Sequence, residues 1–172
     1  MEENRTLVVG FAFATPASAF VNKVLRFRIE DLCARQDEGE QIFVFTQPDL
    51  GTLLPYMLRT RTQMIREEEG KPSPTLRIAR EAIAFALKYH ITRIRIVAAG
   101  PHMWRCLRDM KMAMKEAETL LPLVAEKFDT MSWSSWFHES STQPRTKSPL
   151  AWLPRDILLR LMSWEMYKRK AS

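Results

Sequence analysis

His102 and Arg105 are the residues of this 172-residue chain best placed to do chemistry. They lie in the segment Gly100-Pro101-His102-Met103-Trp104-Arg105, directly after the largely apolar stretch Ile94 to Ala99, which only Arg95 interrupts. That order reads as a strand followed by a helix. At such a junction, free backbone N–H groups and the helix dipole favour an anion. Residues three apart on a helix project from one side, so the imidazole and the guanidinium together suit a phosphate or a carboxylate. An imidazole titrates near neutral pH, which makes His102 a candidate catalytic acid or base as well. The plainer alternative is that His102 caps the helix and Arg105 pairs with a surface acid.

Parallel α/β sheets bind ligands just beyond the carboxyl ends of their strands. In this sequence that rule selects three loops: Gly10 to Ser18, then Thr46, Gln47 and Asp49, then Gly100, Pro101 and His102. A helix start at Thr75 can join them. Thr15 and Ser18 offer hydroxyls, although these residue types equally suit a turn and a helix cap. Gln47 and Asp49 are candidate ligand contacts, but an aspartate in a turn is commonly structural. Arg28, within the first helix, reads as a solvated charge. The candidate ligand-binding set is therefore Thr15, Ser18, Gln47, Asp49, Thr75, Gly100, His102 and Arg105. No Walker motif, GxGxxG fingerprint, GxSxG elbow or HExxH motif occurs. The three histidines, His90, His102 and His138, are scattered, and no Cys/His spacing suits zinc, so no metal site is expected. Cys33 and Cys106 fall inside helices and read as reduced, packed thiols.

The elements that must hold these residues follow from hydrophobic periodicity. Leu7 to Gly10, Gln41 to Thr46 and Arg93 to Ala99 are short, apolar, β-branched runs that read as strands. Helices are expected over about Phe20 to Gln36, ended by Asp37-Glu38-Gly39-Glu40. They are also expected over Thr75 to Tyr89 and His102 to Glu118. A weakly patterned helix is expected within Thr52 to Gly70, followed by the break Lys71-Pro72-Ser73-Pro74. Leu123 to Lys127 suits either a short strand or a helix end. Met131 to Pro149 reads as irregular. Trp152 to Lys170 reads as a helix with Pro154 in its first turn. Strands alternating with helices predict an α/β fold: a three-layer, Rossmann-like, mainly parallel sheet with helices on both faces. The chain reads as one domain over 1–172, with 131–172 an irregular segment plus a helix packed on it. Four of the five tryptophans lie between 133 and 164, so packing or an exposed partner surface is expected there.

The net charge of +6 invites a nucleic-acid reading. The arrangement argues against it: bases and acids mix, as in Arg66-Glu67-Glu68-Glu69, and no nucleic-acid-binding signature accompanies them. No specific nucleic-acid binding is expected. Leu7 to Ala14 is apolar, and Ala17-Ser18-Ala19 mimics a signal-peptidase site. However, Glu2 and Glu3 precede the run where a secretory signal wants basic residues. No stretch reaches the roughly 18 to 20 apolar residues of a membrane span. A cytoplasmic protein without a transmembrane segment is expected.

The chain resembles the YdcF/SanA/ElyC-like family, a Rossmann-like domain of unknown function, as a divergent member. The resemblance rests on a strand ending in glycine (Leu7-Val8-Val9-Gly10), an Arg-apolar step (Arg28-Ile29) and a strand with a polar end (Ile42 to Thr46). It rests further on Thr75 opening a helix and on the His-Met-x-Arg step His102-Met103-Trp104-Arg105. Glu165 matches an acid often found in the C-terminal helix. Two features depart from the family pattern. Gln47-Pro48-Asp49 stands where the family usually has a Ser-Gly-Gly-like turn, and Arg77 and Ile78 follow Thr75 in place of an acid and an asparagine. The resemblance implies a nucleotide-type ligand, with S-adenosylmethionine as one cofactor associated with the family. It also links some members to bacterial envelope functions. Two functions are therefore carried forward: a protein binding a small anionic, nucleotide-like or phosphorylated ligand, and a non-catalytic interaction domain using its Trp-rich C-terminal region.

Overall fold

The computed structural model describes residues 4–36, 39–67, 73–129 and 131–171. Five strands form one parallel sheet in the order β3-β2-β1-β4-β5. The central strand, β1 (Asn4–Phe11), lies between β2 (Glu40–Thr46) and β4 (Arg93–Ala98). Its Leu7 is opposite Phe43 on one side and Ile94 on the other. Both faces of β1 are covered, which explains why it is apolar from Leu7 to Phe11 instead of alternating. The short strands β3 (Thr62–Met64) and β5 (Leu123–Ala125) form the edges.

Side-chain alternation along β1 feeds two cores. Leu7, Val9 and Phe11 pack with Ile78, Ala82 and Ile83 of one helix and with Cys106 and Met110 of another. These helices are α4 (Thr75–Lys88) and α5 (Gly100–Glu116). Val8 packs on the opposite face with Val21, Leu25 and Ile29 of α1 (Phe20–Ala34). Helices thus cover both faces, giving the three-layer Rossmann-like arrangement that the sequence predicts. Gly10 is needed where α1 crosses: a Cβ there would lie 2.9 Å from both Ile29 Cδ1 and Thr46 Oγ1.

The structure differs from expectation in three places. The described residues of Thr52 to Gly70 hold no single helix. The described part follows α2 (Pro48–Gly51) with α3 (Tyr56–Arg59) and then β3. Pro55 disfavours helix in the residue before it, and Thr62 to Met64 pair with the edge of β2. The expected boundaries at Asp37-Glu38 and at Glu68 to Pro72 lie outside the described residues. The C-terminal helix is two helices, α6 (Pro149–Leu161) and α7 (Trp164–Ala171). Helix α6 starts early because the Ser148 side chain accepts a hydrogen bond from the Ala151 N–H at 3.2 Å and Pro149 takes the first helical position. Pro154 is therefore inside α6 and not in its first turn. Arg28 is not a solvated charge. It pairs with Asp31 at 3.0 Å and with Glu126 at 2.7 Å, beside the Arg95–Glu126 pair at 2.7 Å. The Glu126 carboxylate is buried, so these pairs tie α1 and β4 to the residue following β5.

Both cysteines are free. Burial pushes the Cys33 thiol up to about 11 and raises the fully buried Cys106 thiol further from reactivity. Among the described residues, no helix is long and apolar enough to cross a membrane. Trp136 and Trp152 are 2% and 4% exposed and belong to the core beside α1. An exposed Trp133/Trp136/Trp152 patch is therefore not formed, and of these three only Trp133 is exposed.

Candidate functional site

From β1 the chain order runs outward in both directions, through β2 and β3 on one side and β4 and β5 on the other. The carboxyl ends of β1 and β4 consequently flank a topological switch point, where the diverging loops leave a crevice. A cavity of about 580 Å³ opens there. Ala12 to Ala14 reach it from β1, Gln47 and Asp49 from β2, Ser73 to Thr75 from the start of α4, and His102 and Arg105 from the first turns of α5. The C-terminal segment supplies the facing wall, including Arg145, Trp152, Arg155 and Tyr167.

Of the residues selected by sequence, Gln47, Asp49, Thr75, His102 and Arg105 line this cavity. Thr15, Ser18 and Gly100 do not. The Thr15 hydroxyl lies 2.6 Å from that of Thr142. Ser18 is exposed in the turn before α1. Gly100 faces Trp136, whose Nε1 would be 3.1 Å from an added Cβ.

His102 is buried among Phe11, Phe13 and Trp152. Arg105 Nη2 donates to His102 Nδ1 at 2.9 Å. A guanidinium can only donate, so Nδ1 carries no proton and the neutral ring is protonated on Nε2. Burial, with Arg105 and then Arg145 adding positive charge, holds the imidazole well below its ordinary value of 6.5. His102 is thus neutral at physiological pH. It serves as an Nε2–H donor, and the expectation of an imidazole titrating near neutrality does not apply.

The arginines define the electrostatics. Arg105 lies over the Trp152 ring at 5.3 Å, and burial lowers its pKa. Burial, reinforced by Arg155 and then Arg105, pushes Arg145 down to about 10. Among the described residues, neither Arg145 nor Arg155 has a carboxylate at ion-pair distance. Helices α4 and α5 also begin at the cavity with no acid in the first turn and no side-chain cap, so their positive ends add to the same field. Among the described residues, the one carboxylate lining the cavity is Asp49. Burial and then repulsion from Glu67 raise its pKa.

Two side-chain amides fix the loop after β1: Asn22, which the sequence reading does not select, and Gln47, which it selects as a ligand contact. Asn22 is fully buried. It accepts from the Phe13 N–H at 3.2 Å and donates to the Ala14 carbonyl at 2.6 Å. Gln47 Oε1 accepts from the Ala12 N–H at 2.9 Å, and Gln47 Nε2 donates to Glu67 at 3.2 Å. Gln47 therefore braces the loop. The arginine wall was also missed. Its only sequence signal is the density of basic residues after Pro144, and nothing local says that they converge.

Buried polar atoms normally find partners. Ser73 Oγ, Arg105 Nε and Trp152 Nε1 are buried with no partner among the described residues, and all three belong to residues lining this cavity. Among the described residues, no cluster of three or more His, Cys, Asp or Glu is arranged to hold a metal ion. No protein-family model, curated protein or solved structure matches this chain.

Proposed function

We propose that this protein binds a nucleotide-like or phosphorylated small molecule in the cleft at the carboxyl ends of β1, β2 and β4. The observation that carries the reading is the wall formed by Arg105, Arg145 and Arg155 on a single cavity of about 580 Å³. Gathering like charges in a partly desolvated cleft opposes folding unless something offsets it. An anionic ligand does so and supplies acceptors for Arg105 Nε and the His102 Nε2–H. The volume suits a small organic ligand.

His102 is assigned to binding and not to acid catalysis, because a neutral, desolvated imidazole donates a hydrogen bond without carrying a spare proton. S-adenosylmethionine, implied by the resemblance to YdcF/SanA/ElyC-like proteins, is a poor match for this wall. It carries net positive charge, and its single carboxylate would face three guanidiniums. We keep the kinship as a reading of the His102-Met103-Trp104-Arg105 step, with the ligand changed.

The test is a thermal-shift screen with orthophosphate, nucleotides, sugar phosphates and S-adenosylmethionine, run beside His102→Ala and Arg105→Ala. A ligand at 100 times its Kd stabilises the native state by roughly 2.7 kcal/mol. A phosphate-bearing compound should shift the wild type and not the folded variants. Silence across the whole panel would end this reading. It would favour a second one, an interaction domain using the outward face of α6, where Leu150, Ile157 and Leu161 are exposed.

A further inference from the structure

The cleft specifies more than an anion, and its finer specificity rests on its being a phosphate site. In doubly wound sheets the phosphate commonly lies on the loop after β1, cradled by backbone N–H groups that glycines leave accessible. Here the first two N–H groups of that loop are already used, Ala12 by Gln47 and Phe13 by Asn22. Gly10 serves the crossing of α1, and no second glycine follows before α1. Side-chain donors elsewhere in the lining include Arg105 Nε and Trp152 Nε1, both without a partner among the described residues, together with the His102 Nε2–H, Arg145 and Arg155.

These arginines come from three separate places, α5, the turn Pro144–Thr146 and α6. Each presents a planar fork that prefers two oxygens of one acid group. A diphosphate offers two linked groups and a third charge to these forks, whereas a single phosphoryl group offers three oxygens and at most two charges. Another group of lining residues, gathered around Glu67, has a different chemistry. Asp49 stands just past β2, where folds of this kind place a carboxylate against ribose hydroxyls. The unpartnered Ser73 hydroxyl belongs to the same lining. An acceptor and a hydroxyl together suit a polyhydroxylated group.

We infer that the cleft takes a diphosphate ester of a nucleoside or sugar, its diphosphate against Arg105, Arg145 and Arg155 and its hydroxyls at Asp49 and Ser73. The experiment is isothermal titration calorimetry at fixed ionic strength with orthophosphate, pyrophosphate, ADP and UDP. Pyrophosphate should bind about tenfold or more tighter than orthophosphate, and at least one nucleotide about tenfold tighter again. Arg145→Gln and Arg155→Gln should each weaken pyrophosphate by about tenfold. If either fails to fold, the Arg→Lys variant replaces it, since lysine keeps the charge and loses the fork. Asp49→Asn should remove the nucleotide's advantage without weakening pyrophosphate.

The outcomes separate. Orthophosphate and pyrophosphate binding equally, with both lost in Arg105→Gln, would overturn the diphosphate and leave the phosphate site standing. A nucleotide advantage that survives Asp49→Asn would overturn the placement of the hydroxyls. Failure of all four probes to bind would overturn this inference and the phosphate site together.

Discussion

Replacing Arg145 by glutamine should make the unliganded protein more stable while impairing its anion binding. Arg145 is half-buried, and its pKa falls to about 10 chiefly through burial, with Arg155 and Arg105 contributing. A fall of two to three pH units corresponds to a ceiling of roughly 3 to 4 kcal/mol against the charged form. Solvent screens a partly exposed guanidinium, and the aliphatic packing lost with the side chain works the other way, which leaves about 1 to 2 kcal/mol. Because the folded value lies below the unfolded one, the unfolded chain holds its proton more tightly. The penalty is therefore complete below about pH 10 and fades as pH rises towards the ordinary arginine value. At pH 7.5 and low salt, Arg145→Gln should melt roughly 3 to 6 °C above wild type. Raising the salt should shrink the gap. Saturating pyrophosphate should reverse the order, because only the wild type has the complete wall. Urea midpoints with unchanged slopes would confirm that the native state is the one affected. A variant equal to or less stable than wild type at low salt would refute the claim that this wall is electrostatically uncompensated.

Three further outcomes are expected. His102 stays neutral in the fold while the unfolded chain takes up a proton below about pH 6.5. The wild type should therefore lose stability relative to His102→Gln between pH 6.5 and 5.5, read from urea midpoints. Asn22→Leu should cost about 2 to 3 kcal/mol in chemical denaturation, because it leaves the buried Phe13 N–H and Ala14 carbonyl unpaired. Glu126→Ala should cost roughly 2 to 4 kcal/mol by the same measurement. It strands Arg95 and leaves Arg28 with Asp31 alone, and the loss should persist in high salt.

Much of the fold is legible in the sequence because strands covered on both faces leave a blunt signature. The runs around Val8 and Val44 are apolar without interruption, β4 is apolar from Ile96 onward, and α1, α4 and α5 carry apolar residues at helical spacing. Strand β3 is not legible: three residues, Thr62 to Met64, carry no period, and the edge of β2 determines their pairing. The break between α6 and α7 is hidden because apolar residues continue through Leu161 and Trp164. The start of α6 has a local signal, Ser148 before Pro149, that outweighs Pro154. At the site, the rule of carboxyl ends places Gln47, Asp49, Thr75, His102 and Arg105 on one cavity because it depends only on strand direction. It cannot say where a hydroxyl points, so Thr15 and Ser18 fall outside. It is also silent about Arg145 and Arg155, which reach the cleft only through the folding back of the last helices.

That folding back has a kinetic consequence. Residues 144–172 carry seven basic side chains and two acidic ones, while the whole chain has a net charge of +6. Nearly all of the excess charge thus belongs to the segment that supplies the arginine wall, and the preceding residues are close to balanced. Within that segment Lys168 pairs with Glu116 at the far end of α5, whereas Arg145 and Arg155 line the cleft itself, so an approaching polyanion meets a positive field where it must enter and productive encounters should be enriched. The capture rate should fall as salt shortens the reach of that field to about 8 Å at physiological ionic strength. The dissociation rate, governed by contacts inside the cleft, should change far less.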